Sequence, residues 1–473
     1  MKSRRLLFLM IFLLTCSSGC QSFQPPAIES SPAPTPALPP GNIAPSHAGD
    51  LLWKGCYGAP SDCFQTSTLD EPFEVVVSPD KTGVFAVGLT SNTLVVYDRD
   101  PATGELTYNS CFVDQETSNP DCSKAPALDG ARSVAVSPDG RSIYVVSSKR
   151  NESPEGDNGI VTFDREPSTN HLQFASCIQD NDRAPNFECG PNNHKPGLSG
   201  NRAIMVSKDG ASVYVAGHDD AAVTVFSRAA SGELTWVGCV TDFQNPNPDT
   251  CAQSPNINAL KDTHSVVLSP DDRFVYVASA GDHAINTFAR DPSTSKLTWL
   301  GCVADAGTNV CPKTNPGLRG ARSIAIAQDG SAVYVAATEE SAIGILKRDK
   351  VTGELLPTND CVKDSNSMET CSTTAETLGG VHFVAVSPDA NSETLYAAGR
   401  GDNAIVWFDR DPSTATLNNP ECIDDGSSPA CTAAPVAPSL TGVTSLAVAP
   451  DLVTKSLYLV SRLEDALVWF SIQ

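Results

Sequence analysis

The sequence carries a repeat of about 60 residues, and this repeat limits the folds that the chain can adopt. Each copy has a short apolar run, a turn of Pro-Asp or Asp-Gly type, and a second run rich in β-branched and aromatic residues. The residue before the turn recurs at steps of 59, 70, 62, 58, 60 and 62 residues. Its positions are Ser78, Ser137, Ser207, Ser269, Ala327, Ser387 and Ala449. Seven copies at near-constant spacing predict a repeat architecture.

Within each copy, the sequence favours strands over helices. In the fourth copy, a polar "GDHA" turn leads to "INTFAR", and "DPSTSK" leads to "LTWLGC". Four short strands joined by reversing turns therefore fit into each repeat, and no stretch shows a sustained apolar period of 3.6 residues. We predict an all-β, seven-bladed β-propeller of four-stranded antiparallel blades, in one domain over residues 50–473.

The two ends of the repeat region are incomplete in complementary ways. The last copy supplies only three strands and ends in "DALVWFSIQ", whereas the region begins with an isolated fourth strand, "LLWKGC", at residues 51–56. An unclosed propeller would leave two unpaired sheet edges. The sequence therefore predicts that the N-terminal strand completes the last blade and closes the ring.

Residues 1–20 have the features of an export signal. Three basic residues precede an apolar run at residues 6–15 that is too short to span a bilayer. The "SSGC" segment resembles a bacterial lipoprotein processing site, so Cys20 is a candidate for lipidation, with simple cleavage and secretion as the alternative. Residues 21–49 are rich in Pro, Ser and Ala and predict an extended linker. We expect export to the periplasm or the cell surface.

Fourteen of the sixteen cysteines fall into seven local pairs, one for each repeat. In every pair the first Cys belongs to a fourth strand and the second to the crossing toward the next blade. The pairs are Cys56–Cys63, Cys111–Cys122, Cys177–Cys189, Cys239–Cys251, Cys302–Cys311, Cys361–Cys371 and Cys422–Cys431. In an exported protein this pattern favours disulfides. Zinc is the alternative, but zinc sites favour tighter Cys spacing with more Cys or His nearby, so we expect no metal.

One position of the repeat carries most of the candidate chemistry. The residue five before the turn position is Phe73, Arg132, Arg202, His264, Arg322, His382 or Thr444. Because the first strand of each blade lines the channel of a propeller, these side chains should meet at one mouth. A cationic ring suits a small anion such as a carboxylate, and Arg132, Arg202 and His382 are predicted ligand-binding residues. The alternative is that these arginines only hydrogen-bond carbonyls of neighbouring blades.

The charge of the chain restricts its partners. The formal net charge is −23, which disfavours nucleic acid and anionic membrane surfaces. We therefore expect membrane contact only through a lipid anchor. No compact Asp-rich loop of calcium-binding pattern is present, and we expect no cofactor. The expected protein is a monomer whose partner is a small anionic ligand or another protein.

The segments "VAVSPDG", "RDPATGELTYNS" and "RDPSTSKLTWLG" resemble the seven-bladed lactonase family. That family includes propeller-type 6-phosphogluconolactonases and carboxymuconate cyclases, and it overlaps the YVTN-type surface repeats. The resemblance covers essentially residues 51–473. It implies a site at the channel mouth made of a His, two Arg and a Glu.

The resemblance assigns these roles to particular residues. "DTHSVVLSPDD" resembles the His segment and implies a proton-transfer role for His264, while "GARSIAIAQDG" and "LYAAGRGDNA" imply carboxylate-binding and carbonyl-polarising roles for Arg322 and Arg400. The Glu position is occupied by Thr338. The carboxylates that follow it directly, at Glu339 and Glu340, are therefore candidates for the missing acid.

Two classes of function follow from the sequence. The first is an exported, membrane-tethered binding or scaffold protein whose cationic mouth holds a small anionic ligand or a partner. The alternative is a lactonase-like hydrolase or cycloisomerase acting on a carboxylate-bearing lactone through His264, Arg322 and Arg400. Glu339 or Glu340 pointing into the channel, within hydrogen-bond reach of Arg322 and His264, would favour the enzyme.

Overall fold

The structure, a computed structural model, describes residues 49–61, 63–64, 68–148, 157–181, 188–190, 192–243, 251–253, 257–436, 439–450 and 455–473. The predicted export signal, the candidate lipidation site Cys20 and all of the predicted linker except Gly49 lie outside these residues and stay predictions. Within the described ranges, no helix is long and apolar enough to cross a bilayer.

The described chain forms seven sheets whose inner strands contact one another in ring order, with the last against the first. The inner strands are β2 (Pro72–Val77), β7 (Ala131–Val136), β12 (Asn201–Val206), β17 (Thr263–Leu268), β22 (Ala321–Ile326), β27 (Val381–Val386) and β32 (Val443–Val448). The second strands are β3 (Gly83–Gly88), β8 (Ser142–Ser147), β13 (Ser212–Gly217), β18 (Phe274–Ser279), β23 (Ala332–Ala337), β28 (Thr394–Gly399) and β33 (Ser456–Ser461). The predicted all-β, seven-bladed propeller is confirmed.

The outer half of each blade adds two more antiparallel strands. The third strands are β4 (Thr93–Arg99), β9 (Gly159–Glu166), β14 (Ala222–Arg228), β19 (Ala284–Arg290), β24 (Ala342–Arg348), β29 (Ala404–Arg410) and β34 (Ala466–Ile472). The fourth strands are β5 (Leu106–Asp114), β10 (His171–Asp180), β15 (Leu234–Thr241), β20 (Leu297–Ala304), β25 (Leu355–Asp364), β30 (Leu417–Asp424) and, in the last blade, β1 (Leu51–Gly58).

Among the described residues, six blades have a short fifth strand that the sequence pattern does not predict. These strands are β6 (Ser123–Ala125), β11 (His194–Lys195), β16 (Ala252–Gln253), β21 (Lys313–Thr314), β26 (Thr373–Ala375) and β31 (Thr432–Ala433). Each pairs in parallel with the fourth strand of its own blade. Because they have only two or three residues, their alternation is too short to be read as a strand.

All seven predicted disulfides are present, and each joins a fourth strand to the crossing segment of the same blade. The Cα–Cα distances run from 4.8 to 5.6 Å, which is normal for a disulfide. A loop of this length contributes roughly 2.5–3 kcal/mol per bridge in the chain-entropy description. Seven such bonds indicate an oxidising compartment.

The predicted ring closure is confirmed in the last blade. Strand β1 pairs antiparallel with β34, and Trp53 stands opposite Phe470 with an edge-on ring contact at 5.5 Å. Tyr57 stacks on Trp469 at 5.4 Å and contacts Tyr97 of the first blade at 5.3 Å. The N-terminal strand therefore joins the last blade to the first, and it pairs with the edge of β34 that would otherwise be open.

An Asp, a Tyr and an Arg recur in the repeat because they join adjacent blades. The Arg of one blade binds the Tyr and Asp of the preceding blade, and we call this arrangement the clasp. The Nε of Arg348 donates to the hydroxyl of Tyr276 at 2.7 Å, and its Nη2 pairs with Asp271 at 3.0 Å. The same clasp recurs as Arg228 with Tyr144 and Asp139, Arg290 with Tyr214 and Asp209, and Arg410 with Tyr334 and Asp329. These buried arginines are fully used in holding blades together, unlike the arginines of the channel.

Candidate active site at the channel mouth

Each predicted ring residue occupies a β-bulge. Between β22 and β23, Ala321 pairs with Ala337 and Ser323 pairs with Ala336, so Arg322 is the additional residue. The same bulge lies in the other six inner hairpins, at Phe73, Arg132, Arg202, His264, His382 and Thr444. A bulge increases the local twist and re-aims a side chain. The fold therefore presents one re-aimed side chain from every blade to the channel.

These seven side chains line one cavity of about 120 Å³ in the channel. Glu74, Ser265, Ser323 and Ser445, each one residue further along an inner strand, add polar groups to its wall. The cavity lies where the crossing segments enter the inner strands. The structure thus brings Arg132, Arg202, His264, Arg322 and His382 together, as the sequence predicts.

A second row of residues follows the second strands at the same mouth. Its members are Leu89, Ser148, His218, Ala280, Thr338, Arg400 and Arg462. The predicted Arg400 belongs to this row. Burial lowers the pKa of Arg322, and the charge of Arg400 lowers it further. Arg462, which sequence reasoning missed, pairs with Glu71 at 3.0 Å.

Five arginines at this mouth repel one another. Burial lowers the pKa of Arg132, and the nearby Arg202, Arg462, Arg322 and Arg400 lower it further. Burial also lowers the pKa of Arg202, to about 10. An acidic protein therefore contains a concentrated positive potential, which attracts small anions to the channel.

The channel arginines keep unused donors. The Nε atoms of Arg132, Arg202, Arg322 and Arg462 are buried and have no hydrogen-bond partner among the described residues. Arg132 donates to Ser148 Oγ at 3.3 Å and lies over the Phe73 ring at 4.3 Å. In the part of the chain that the structure describes, Arg132 and Arg322 do not donate to carbonyls of neighbouring blades, in contrast to the clasp arginines. This favours ligand binding over a purely structural role.

The two channel histidines differ in their contacts. Nδ1 of His382 lies 2.9 Å from the carbonyl oxygen of Thr444, and its Nε2 lies 3.5 Å from Nη1 of Arg322. The Nδ1–H therefore donates to Thr444 and Nε2 accepts from Arg322, so that His382 orients the guanidinium. His264 lines the cavity, and burial together with Arg322 and Arg202 lowers its pKa well below the usual range. His264 is therefore neutral and able to accept a proton.

Neither candidate carboxylate reaches the cavity. Glu339 is exposed and pairs with Arg319 at 3.5 Å, although its charge still acts on Arg322. Glu340 accepts from the backbone N–H of Arg319 at 3.2 Å, and burial beside Asp305 raises its pKa to about 7. Among the described residues, neither makes a hydrogen bond or ion pair with His264 or Arg322.

Thr338, at the position where the resemblance implies Glu, donates instead to the carbonyl of Val381 at 2.8 Å. Its side chain is thus used to tie the second strand of one blade to the inner strand of the next. The expected acid is missing from that position.

Glu74 is a cavity carboxyl that the sequence analysis did not single out. It is the acidic residue among those that line the cavity in the described chain. Its Oε2 accepts from the backbone N–H of Val134 at 2.9 Å, and burial raises its pKa to about 7. The other six blades carry Ser, Ala or Phe at this position, and comparing the blades at this register would have revealed it.

This carboxyl makes stability depend on pH. Because the pKa of Glu74 is about 7 in the folded protein and 4.5 ordinarily, the folded state binds the extra proton between these values. Its contribution to the free energy of unfolding therefore falls as pH rises from 4.5 to 7. We expect Glu74→Gln to stabilise the protein by about 1–3 kcal/mol at pH 8 and by much less at pH 4.5. Urea unfolding at both pH values measures this, and an equal effect at both would contradict it.

Sequence comparison places the chain in a family. A family model described as "Lactonase, 7-bladed beta-propeller" matches residues 79–253 and 199–368, which together make up more than half of the chain. The chain belongs to the seven-bladed β-propeller lactonase family. None of the curated proteins matches the sequence.

Solved structures similar to this lactonase-family chain share its fold at low sequence identity. The periplasmic gluconolactonase of Pseudomonas aeruginosa is 18% identical with a TM-score of 0.50, covering 74% of this chain and 84% of that one. A putative 6-phosphogluconolactonase of Bacteroides uniformis is 16% identical with a TM-score of 0.51, covering 75% and 85%. Hydrazine synthase of Kuenenia stuttgartiensis is 13% identical with a TM-score of 0.52, covering 87% and 98%. Such different names on one fold mean that activity must be argued from the site.

Proposed function

We propose that this protein is an exported lactonase that opens a carboxylate-bearing lactone at the channel mouth. The observation that supports it best is the cavity itself, where three bulge arginines with unpaired Nε atoms surround a neutral His264. Unpaired buried donors next to a potential base are suited to a substrate that carries a negative charge and develops another during reaction.

The arrangement supplies three of the needs of lactone hydrolysis. Arg322 and Arg400 stabilise the oxyanion that forms when water attacks the carbonyl carbon, while Arg132 and Arg202 bind the substrate carboxylate. His264 accepts the proton of the attacking water. The carbon–oxygen bond of the ring then breaks, and the proton goes to the ring oxygen to give a hydroxy acid.

The relatives and the disulfides fit an exported enzyme. Family membership and the gluconolactonase name of the Pseudomonas aeruginosa protein, which is described as periplasmic, point in this direction. Seven disulfides require an oxidising compartment to form. We propose a monomer without cofactor, held to a membrane through Cys20.

A binding or scaffold protein is the second candidate. Thr338 stands where the resemblance implies a carboxylate, and it is used in a blade-to-blade hydrogen bond. A mouth that keeps its arginines but lacks this acid can hold an anion without turning it over. Both candidate functions include binding of a carboxylate by the channel arginines.

A lactone panel on the purified protein tests the enzyme. We expect hydrolysis of a lactone that carries a carboxylate, and a loss of kcat/KM of about 100- to 1,000-fold in Arg322→Ala, because one oxyanion donor is removed. Arg141→Ala, at an exposed turn, is the matched control and should keep full activity. If no lactone is opened while citrate still binds and Arg322→Ala weakens this binding, the second candidate is correct.

A further inference from the structure

His264 has a second histidine beside it. His218 follows β13 in the neighbouring blade, and the two imidazole rings meet edge to face with centroids 5.1 Å apart. His264 lines the cavity, and its ring nitrogens have no hydrogen-bond partner in the described part of the chain. His218 therefore contacts the proposed proton acceptor from the side facing the mouth.

Two carboxylates flank His218. Its Nδ1 lies 2.7 Å from Oδ1 of Asp219, and its Nε2 lies 3.8 Å from Oδ1 of Asp262. Both carboxylates also act on Arg202 of the same cavity. Carboxylates accept charge-assisted hydrogen bonds from imidazole N–H groups.

Two glycines lie directly against these carboxylates. A Cβ at Gly200, which has a φ of +69°, would lie 2.6 Å from Cγ of Asp219, and a Cβ at Gly281 would lie 2.5 Å from Oδ2 of Asp262. Any larger residue at either position would displace the acid. A Cβ at Gly320, the position equivalent to Gly200 in the fifth blade, would likewise lie 2.7 Å from Glu339, so the approach at Gly200 belongs to the repeat.

The two rings have opposite electrostatic surroundings. Burial lowers the pKa of His264, and Arg322, Arg202, His218 and Arg132 lower it further. His218 instead faces Asp219 and Asp262. A pair of titratable groups in opposed environments is the arrangement by which an acid and a base are assigned.

We propose that His218, held by Asp219 and Asp262, is the proton-relay partner of His264. This rests on the proposed lactone hydrolysis. As the oxygen of water bonds to the carbonyl carbon, one proton of that water passes to His264. The nearby arginines disfavour the positive charge that this proton gives to the His264 ring. The proton then moves through one water to Nε2 of His218, which is not within hydrogen-bond distance of Asp262, and it returns by the same path to the ring oxygen as the ring bond breaks. One lactone and one water give one hydroxy acid, and both histidines end as they began.

Proton NMR titration tests the relay independently of turnover. The chain has seven histidines, and the variants His264→Gln and His218→Gln assign the two rings. We expect the His264 resonances to show an inflection at the pH where His218 titrates. This inflection should vanish in His218→Gln, while His171→Gln, on an exposed outer strand, leaves it unchanged. If the pH dependence of the His264 resonances is the same in His218→Gln as in the wild type, the proposal is wrong.

Kinetics on any lactone that is hydrolysed give the second measurement. His218→Gln should lower kcat about 10- to 100-fold with little change in KM, and it should move the acid limb of the pH profile. A fall in kcat with an unchanged pH profile means a structural role and overturns the relay. If the titrations of His264 and His218 are coupled but no lactone is hydrolysed, the coupling of the two histidines is supported and the proposed lactonase activity is wrong.

Discussion

A chain lacking residues 51–58 is expected to lose the single cooperative unfolding transition and to self-associate. The deletion removes β1, so β34 becomes an unpaired edge, and the contacts of Tyr57 with the last and first blades disappear. An exposed strand edge pairs readily with other chains. Differential scanning calorimetry and light scattering measure the two effects, and a monomer with one sharp transition would contradict the closure argument.

A milder variant keeps this test informative if the deletion does not fold. Tyr57 is buried, and Tyr57→Ala should cost about 3–5 kcal/mol, as large aromatic truncations do. The matched control is Val303→Ala, the same register in the fourth blade. Hydrogen exchange should accelerate at β1 and β34 in Tyr57→Ala only. Equal acceleration in both variants would mean that closure is not the weak point of the ring.

The sequence predicts the fold well because its signals are periodic. The turn that follows Ser78 occurs seven times, so the number of turns gives the number of blades. The isolated strand that ends at Cys56 predicts the ring closure, and the single cysteine pair in each repeat predicts each disulfide. Each of these signals is repeated or local, so no knowledge of long-range packing is needed. The parallel fifth strands escape prediction because two or three residues carry no readable alternation.

The site is predicted less completely. The bulge residues, including His264 and Arg322, are found by counting five residues back from each turn. The bulge that re-aims their side chains has no sequence signal of its own. The second row depends on where each second strand ends, so His218 and Arg462 are missed even though they occupy the same register as Arg400. Reading all seven blades at that register would have found both.

Arg132→Met is expected to stabilise the ligand-free protein by about 1–3 kcal/mol and to weaken citrate binding about 100- to 1,000-fold. Burial and four neighbouring arginines act against the charge of Arg132, and its Nε has no hydrogen-bond partner in the part of the chain that the structure describes. A methionine removes that repulsion and fills a similar volume. Urea unfolding and calorimetric citrate titration measure the two effects, which should have opposite signs.

The same substitution at a clasp arginine separates this repulsion from a general effect of losing a buried guanidinium. Arg348 is buried but pairs with Asp271 and Tyr276, so Arg348→Met should destabilise by about 2–4 kcal/mol and leave citrate affinity unchanged. Because salt screens repulsion between like charges, added NaCl should stabilise the wild type more than Arg132→Met. If both substitutions destabilise the protein, Arg132 stabilises the fold as Arg348 does. Its charge would then not be available for binding a ligand in the channel.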